Sequence, residues 1–382
     1  MPAKIDDLLV TSIAHFASDL HVKAGSFPVM RIGGELHPIA DAPRLSPEDT
    51  LDMAFSMMSN RQKQKLKEVS EVDIAYSVKG LGRFRANIFQ QRGTVSIVLR
   101  VIPDQSKNTA ALGLPSVIDQ IAEERRGLIL VTGATGSGKS TTLAAMIDRI
   151  NTTRSGHIVT IEDPIEFLHS HKNSTIHQRE LHSDTPSFAL ALRAALRQAP
   201  KVILVGEMRD RETMEVAMEA AETGHLVLST LHTIDAAKSV ERIIGVFPKN
   251  EEQSIRLRLS QSFRFIVSQR LLPRANGSGR VAAIEILKAT SRTKEYIERG
   301  ESEGKSLMDA MEQGDMEGMQ TFDGEIEKLV RKGVVSKDDG LAYSSNSGNL
   351  LLRLGELGGG SAVKNEPKAP AQSDSILDMI ER

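Results

Sequence analysis

The amino-acid sequence predicts an α/β protein in two parts: a small N-terminal α+β domain, then a larger α/β domain with a largely parallel sheet and a helical C-terminal part. Three observations carry this. From about residue 116, apolar runs at 128–132, 158–161, 202–205 and 226–230 alternate with amphipathic helical stretches, the rhythm of a parallel sheet buried on both faces. Upstream, residues 83–100 alternate apolar and polar with period two, which suits an antiparallel hairpin with one solvated face. Between the two, Pro103 and Pro115 bracket a small, polar stretch with the character of a linker.

In chain order, the spacing predicts a helix over 5–17, strands at 18–22 and 29–32, and a helix over 46–69. The hairpin puts Phe84, Ala86, Ile88, Val95, Ile97 and Leu99 on apolar faces and turns Arg83, Arg85 and Arg100 the other way. In the second domain helices are expected from Lys139 and over 187–198, 213–222 and 235–244, then a longer one over 251–272. A strand at 279–287 leads into helical segments up to about Leu357. Gly358-Gly-Gly-Ser and Lys368-Ala-Pro-Ala-Gln-Ser read as a flexible tail, and its end, 376–382, as a solvated terminus or a short docking helix. The divisions are therefore 1–103 for the N-terminal domain, 104–115 for the linker, 116–357 for the second domain and 358–382 for the tail.

Composition narrows the function classes. The chain has 382 residues, with 48 Lys plus Arg against 50 Asp plus Glu and a net charge of −2, which argues against holding duplex DNA or an acidic membrane by bulk charge. It has no cysteine, so disulfides and thiolate metal sites are excluded. No run approaches ~18 consecutive apolar residues, and Asp6 and Asp7 stand where a signal peptide would be apolar. A soluble intracellular protein is the expectation.

The strongest motif is Gly133, Ala134, Thr135, Gly136, Ser137, Gly138, Lys139, Ser140, Thr141, a G-x-x-x-x-G-K-[ST] loop between an expected strand and an expected helix. Its glycines let backbone N–H groups turn toward a β-phosphate, and the helix N-terminus adds a favourable dipole. Lys139 offers a cation to the β- and γ-phosphates, and Ser140 a hydroxyl to Mg2+. Such a loop needs a carboxylate to orient water and another on the metal side, and parallel strands place these at their carboxyl ends. Two strands end so: Glu162 follows 158–161 and is the better base, whereas Glu207 follows Gly206 and is the better metal-side acid. His225 and His232 bracket the strand at 226–230, and two ends of one strand cannot both reach one phosphate. Histidines at 157, 169, 171, 177 and 182 lack an H-E-x-x-H spacing and are not read as a zinc site. Arg85 and Arg100 can neutralise γ-phosphate charge if their domain folds over the loop.

The phosphate loop is followed in order by Ile161-Glu-Asp-Pro-Ile-Glu166, Leu196-Arg-Gln-Ala-Pro200, Val205-Gly-Glu-Met-Arg-Asp210 and Gly224-His-Leu-Val-Leu-Ser-Thr-Leu-His232. In these segments the chain closely resembles the PilT/PilU branch of the type IV pilus and type II secretion ATPases, with a likeness running from Ala17 through Phe322. The resemblance implies a PAS-like N-terminal domain, a RecA-like motor domain, ATP and Mg2+ as ligands, and a homohexamer at the cytoplasmic face of the inner membrane. It further implies an inner-membrane pilus platform protein as partner, a second retraction ATPase as another, and no nucleic acid. Carried over, Lys139 and Ser140 bind phosphate and Mg2+, Glu162 is the catalytic acid, Glu207 the Walker B acid, and His225 and His232 the His box. Arg85 and Arg100 match the paired arginines presented to the nucleotide.

The absence of cysteine removes the tetracysteine zinc insertion of the extension and secretion relatives, so retraction is the closer likeness. Two departures stand out: 291–298 reads Ser-Arg-Thr-Lys-Glu-Tyr-Ile-Glu where the family commonly has Ala-Ile-Arg-Asn-Leu-Ile-Arg-Glu, and Lys201 replaces a common Asp. The resemblance thus leaves open an accessory PilU-like role, and behind it an extension or secretion ATPase. A RecA-like nucleic-acid motor is disfavoured by three Tyr and no Trp, although 11 Phe are present.

Overall fold

The computed structural model describes residues 4–39, 41–102 and 108–355; the tail, its closing segment and linker residues 103–107 lie outside these. The N-terminal part runs α1 (Ile5–Ala14), β1 (Asp19–Lys23), β2 (Val29–Ile32), β3 (Glu35–Pro38), α2 (Pro47–Met57), α3 (Asn60–Val69), β4 (Glu71–Val78), β5 (Gly82–Gln91) and β6 (Thr94–Ile102). Its sheet is antiparallel throughout, in the order β3-β2-β1-β6-β5-β4. Phe84, Ala86, Ile88, Ile97 and Leu99 are fully buried against the helices, as period two requires.

The single helix expected over 46–69 is instead two. Ser46 and Ser59 each cap a helix in a reciprocal capping box, with Asp49 and Gln62, and Met58 between them is extended. Each box satisfies donors at a new helix start, so Ser59 restarts the helix.

The second part continues with α4 (Val117–Ala122), β7 (Gly127–Thr132), α5 (Lys139–Thr153), β8 (His157–Glu162), β9 (Thr175–Glu180), α6 (Phe188–Ala195), β10 (Val202–Val205), α7 (Arg211–Glu222), β11 (Leu226–Leu231), α8 (Ala236–Gly245) and α9 (Glu252–Ser262). Then come β12 (Phe263–Pro273), β13 (Arg280–Lys288), α10 (Ser291–Arg299), α11 (Leu307–Glu312), α12 (Phe322–Arg331), α13 (Lys337–Tyr343) and α14 (Ser347–Gly355). The sheet order is β13-β12-β7-β11-β10-β8-β9, parallel except for β12 with β13.

The long helix expected over 251–272 is a second correction, because α9 stops at Ser262 and the chain continues as β12 beside β7. Phe263, Phe265, Ile266 and Val267 are aromatic or β-branched and fill the pleated surface of a central strand better than a helix face.

Successive residues of each central strand serve opposite layers. Leu128 and Leu130 pack with α6, α7, α8 and α9, whereas Ile129 and Val131 pack with α4 and α5. Each such side chain, fully buried, contributes roughly 1.5–3 kcal/mol relative to exposure. Helices α12, α13 and α14 cover the outer end of β12 and β13 through Phe322 and Ile326, Leu341 and Leu350 respectively, with Val335 between the first two helices. Because β7, β8, β10 and β11 are parallel, their carboxyl ends share one edge, and the site forms there. Among the described residues no helix is long and apolar enough to cross a membrane.

Candidate active site

Gly133 to Gly138 join β7 to α5. The backbone φ is positive at Gly133 (145°), Gly136 (78°) and Gly138 (94°), conformations that a Cβ opposes. The turn aims backbone N–H groups and the N-terminus of α5 at one point, an arrangement that holds phosphate. Lys139 is buried, and its Nζ donates to the carbonyls of Gly133 and Ala134, each at 2.9 Å. Burial lowers its pKa and the Glu207 carboxylate works against that shift.

Thr135, Gly136, Gly138, Lys139, Ser140 and Thr141 line a cleft of about 750 Å³, while Gly133, Ala134 and Ser137 form the loop behind it. That volume falls within the range of small-molecule sites.

Glu162, at the end of β8, lines the same cleft. Its Oε1 accepts from Thr160 Oγ1 at 2.6 Å and from Gln178 Nε2 at 3.3 Å. Burial outweighs these bonds and pushes its carboxyl up to about 7, so it can exchange a proton near neutral pH. Just beyond β10 comes Gly206, where a Cβ would lie 3.3 Å from Glu162 Cα, so the small residue lets the two strand ends converge. Next to it, Glu207 Oε2 lies 2.7 Å from Arg209 Nε and 3.6 Å from His232 Nε2. The other ring nitrogen of His232 is 3.5 Å from Thr135 Oγ1, so the imidazole spans the loop and the acid. Burial and then Lys139 lower its pKa, which keeps the ring neutral at neutral pH.

His225 is not brought to this cleft. It precedes β11, at the opposite edge of the sheet from His232, and its Nδ1 lies 3.0 Å from the carbonyl of Ala220. Arg85 and Arg100 do reach the cleft, from the N-terminal sheet, where they are direct cross-strand neighbours on β5 and β6. Arg100 Nε donates to Asp19 Oδ1 at 3.1 Å, and Arg85 Nε is 4.0 Å from Asp73 Oδ1.

The remaining histidines are dispersed. His157 Nε2 meets His177 Nδ1 at 2.9 Å, His171 Nδ1 accepts from the Ile176 N–H, and His169 lines the cleft with its pKa pushed down to about 4 by burial. No group of three or more His, Cys, Asp or Glu among the described residues is placed to hold a metal ion. A hydroxyl, Ser140, and a carboxylate, Glu207, on one cleft nevertheless fit Mg2+, a hard cation that keeps several waters and completes its shell with substrate phosphates.

Three contributors were invisible in the sequence. Gln178 on β9 holds Glu162, the Phe167 carbonyl at 2.8 Å and the His169 N–H at 2.8 Å. Glu180, also on β9, accepts from the Ile165 N–H at 3.0 Å. Gln269 on β12 braces the loop from below: its carbonyl lies 2.5 Å from where a Gly133 Cβ would stand, and its Oε1 accepts from Thr142 Oγ1 at 2.7 Å. All three are isolated polar residues with no motif spacing to mark them.

Known proteins resemble the chain over most of its length. The family described as Type II/IV secretion system protein matches residues 3–339. The type IV pilus retraction ATPase PilT of Pseudomonas aeruginosa is 44% identical over 335 residues, covering 88% of this chain and 96% of that one. The type IV pilus ATPase PilU of the same bacterium is 41% identical over 354 residues, 92% of each chain. A crystal structure of the pilus retraction motor PilT with bound ADP matches with a TM-score of 0.83 at 46% identity, covering 92% of this chain and 99% of that one. The ATPase DotB of Legionella pneumophila matches at 0.77 and 28% identity, over 91% and 95% of the two chains. With a phosphate loop, two acids at strand ends and relatives of this identity over nearly the whole length, the chain belongs to the type II/IV secretion ATPases, in their PilT/PilU retraction branch.

Proposed function

We propose that the chain is a homohexameric motor that hydrolyses ATP and powers type IV pilus retraction, and hence twitching motility, by rotating domains between protomers. The observation that supports it best is the single cleft on which the Lys139 loop, Glu162 and Glu207 face Arg85 and Arg100 of the N-terminal sheet. In this reading the loop and Lys139 bind the β- and γ-phosphates of ATP. Ser140 and Glu207 would hold Mg2+, which when bound neutralises charge on the phosphate oxygens. Glu162 accepts the proton of the attacking water, and His232 keeps Glu207 oriented. Arg85 and Arg100 stabilise charge on the γ-phosphate, so that its loss loosens the N-terminal domain. His225 plays no part at the cleft of its own chain.

The N-terminal domain, 1–103, is on this reading PAS-like, 104–115 the linker, 116–357 the motor and 358–382 a tail. The motor works in the cytoplasm, held at the inner membrane by the pilus platform protein and assisted by a second retraction ATPase. Deleting the gene tests this directly: excess surface pili with lost twitching is the expected result, and loss of pili would point to extension instead. The altered segment in α10 favours one further reading, an accessory motor, in which case twitching survives deletion and fails only when the second ATPase is weakened. Phosphate release unchanged by single-stranded DNA is expected, and stimulation would favour a nucleic-acid motor.

Thr160 provides a finer test of the proposed base. Its hydrogen bond favours ionised Glu162, so Thr160→Val raises that carboxyl further. The acid limb of the kcat/KM profile is then expected to move to higher pH with the alkaline plateau kept, a roughly fivefold loss at pH 7 for a displacement of one unit. A limb that stays in place argues against Glu162 as the titrating base.

A further inference from the structure

We infer that Arg83 and Glu180 form a latch that seats the N-terminal sheet on the loop following Glu162, and so sets how the cleft's arginines face that carboxylate. The inference deepens the reading of Glu162 and Arg85 given above. Arg83 Nη2, on β5, donates to Glu180 Oε2, on β9, at 2.9 Å, an ion pair that joins the two sheets. Glu180 is 4% exposed, and the same Oε2 accepts from the Ile165 N–H at 3.0 Å, three residues beyond Glu162. One carboxylate oxygen thus ties the N-terminal sheet and the acid-bearing loop together.

The latch is well placed at both ends. Arg83 and Arg85 are two residues apart on β5 and so share a face, and seating Arg83 fixes the stretch of backbone from which Arg85 projects. Gln178 and Glu180 are likewise two apart on β9, so the strand that holds Glu162 through Gln178 also holds Arg83. The β4–β5 turn, Gly80 to Gly82, shares a small cavity with Arg83 and with Leu168 of the same loop.

Arg83 Nε is buried and has no hydrogen-bond partner among the described residues, so the guanidinium hangs on the Glu180 contact. Glu180 is buried and Arg83 half-buried, and parting them leaves the buried carboxylate uncompensated, which is costly. The N-terminal sheet therefore either stays seated or lets go, and intermediate positions are disfavoured. Such a contact couples domain position to the orientation of Glu162 without touching nucleotide, which makes Arg83 and Glu180 positioning residues.

The test is a double-mutant cycle in the full-length assembled protein, with Arg83→Gln, Glu180→Gln and the pair. Glutamine at 180 can still accept from the Ile165 N–H, so besides the long 3.4 Å bond from Ser183 Oγ the interdomain charge pair is what is removed. Each single variant is expected to lower kcat roughly tenfold with KM for ATP changed less than threefold, since a small misplacement of a catalytic group is enough for that. The double variant should be no slower than the slower single, and Arg83→Lys should recover part of the rate. Effects that multiply, or singles within twofold of wild type, overturn the latch.

A readout free of turnover guards against variants that merely fold poorly. The chain has no cysteine, so Lys79→Cys and Ser170→Cys are the two labelling sites of each protomer, and doubly labelled chains diluted into unlabelled ones report the distance within one protomer. A narrow distance distribution that broadens in Arg83→Gln, with an unchanged melting temperature, supports the latch; an unchanged distribution overturns it. Glu162→Gln measured alongside separates the two ideas, because continued turnover there defeats the reading of the base and leaves the label distances to judge the latch.

Discussion

Replacing Glu162 by glutamine is expected to cut ATP turnover at least about a thousandfold while leaving ATP binding within a few fold, the size of a lost general base. Glutamine keeps the shape and can still accept from Thr160 Oγ1, but it cannot take a proton. Lys139, Ser140 and the loop are untouched by the change. Phosphate release and binding of a fluorescent ATP analogue measure the two effects, and turnover within tenfold of wild type would sink the assignment. The pH dependence has a definite sign. With a carboxyl pushed up to about 7, wild-type kcat/KM should fall tenfold per unit below that pH, and whatever activity the variant retains should lack this limb.

The same carboxyl makes a stability claim of opposite sense. Its folded pKa, about 7, lies above the ordinary 4.5, so between those values the folded chain holds more protons than the unfolded one. Stability at this residue is therefore full below the ordinary pKa and is lost as pH rises through about 7. Above that, burying the charged group costs up to about 3 kcal/mol, which Glu162→Gln should return. Melting temperatures at pH 5 and pH 8 test this, with the variant gaining at pH 8 only. Glu285, also pushed up to about 7 by burial, is present in both proteins and cancels in the comparison. A residue that destabilises the fold where it is ionised fits the proposed role of Glu162 as base.

Much of this site could be read from the sequence because the glycine loop and the strand-end acids obey local rules. A strand buried on both faces, such as 202–205, is a bare apolar run, and an acid just beyond it must lie at a carboxyl end. The loop needs its glycines at fixed spacing, so it announces itself. β9 obeys neither rule: Thr175-Ile-His-Gln-Arg-Glu180 is a polar strand at the sheet's edge, without an apolar run, and the residues that steady Glu162 stand on it. The two histidines stand apart, as their places at the two ends of one strand require. They are close in sequence and share a motif, yet a strand of six residues separates them by roughly 20 Å, so only His232 meets Glu207. The switch from α9 to β12 escaped because a short apolar run suits helix and strand alike, and pairing with β7 decides it.

β12 also decides the second large effect, which concerns the glycines of the phosphate loop. Gly133→Ala is expected to lose ATP binding and about 3 kcal/mol or more of stability, whereas Gly136→Ala should cost only about 1–2 kcal/mol. All three loop glycines have positive φ, so each alanine incurs the left-handed penalty, and what differs is the space around the new Cβ. At Gly133 it would stand 2.5 Å from the Gln269 carbonyl oxygen and 2.5 Å from Ser137 Oγ. That carbonyl belongs to a central strand, paired on both sides, and cannot withdraw without pulling the sheet. At Gly138 the nearest atom is Gln269 Nε2 at 2.7 Å, the end of a side chain that can turn, though turning disturbs its bond from Thr142. At Gly136 nothing among the described residues lies within 4 Å of the new Cβ. Melting temperatures should therefore fall in the order wild type, Gly136→Ala, Gly138→Ala, Gly133→Ala. If Gly133→Ala instead melts alongside Gly136→Ala, the loop is free of β12 and its shape is set by its own backbone alone. If the order holds, Gln269→Ala should soften the penalty at Gly138 and leave that at Gly133 intact, because a side chain causes the first clash and a main-chain oxygen the second.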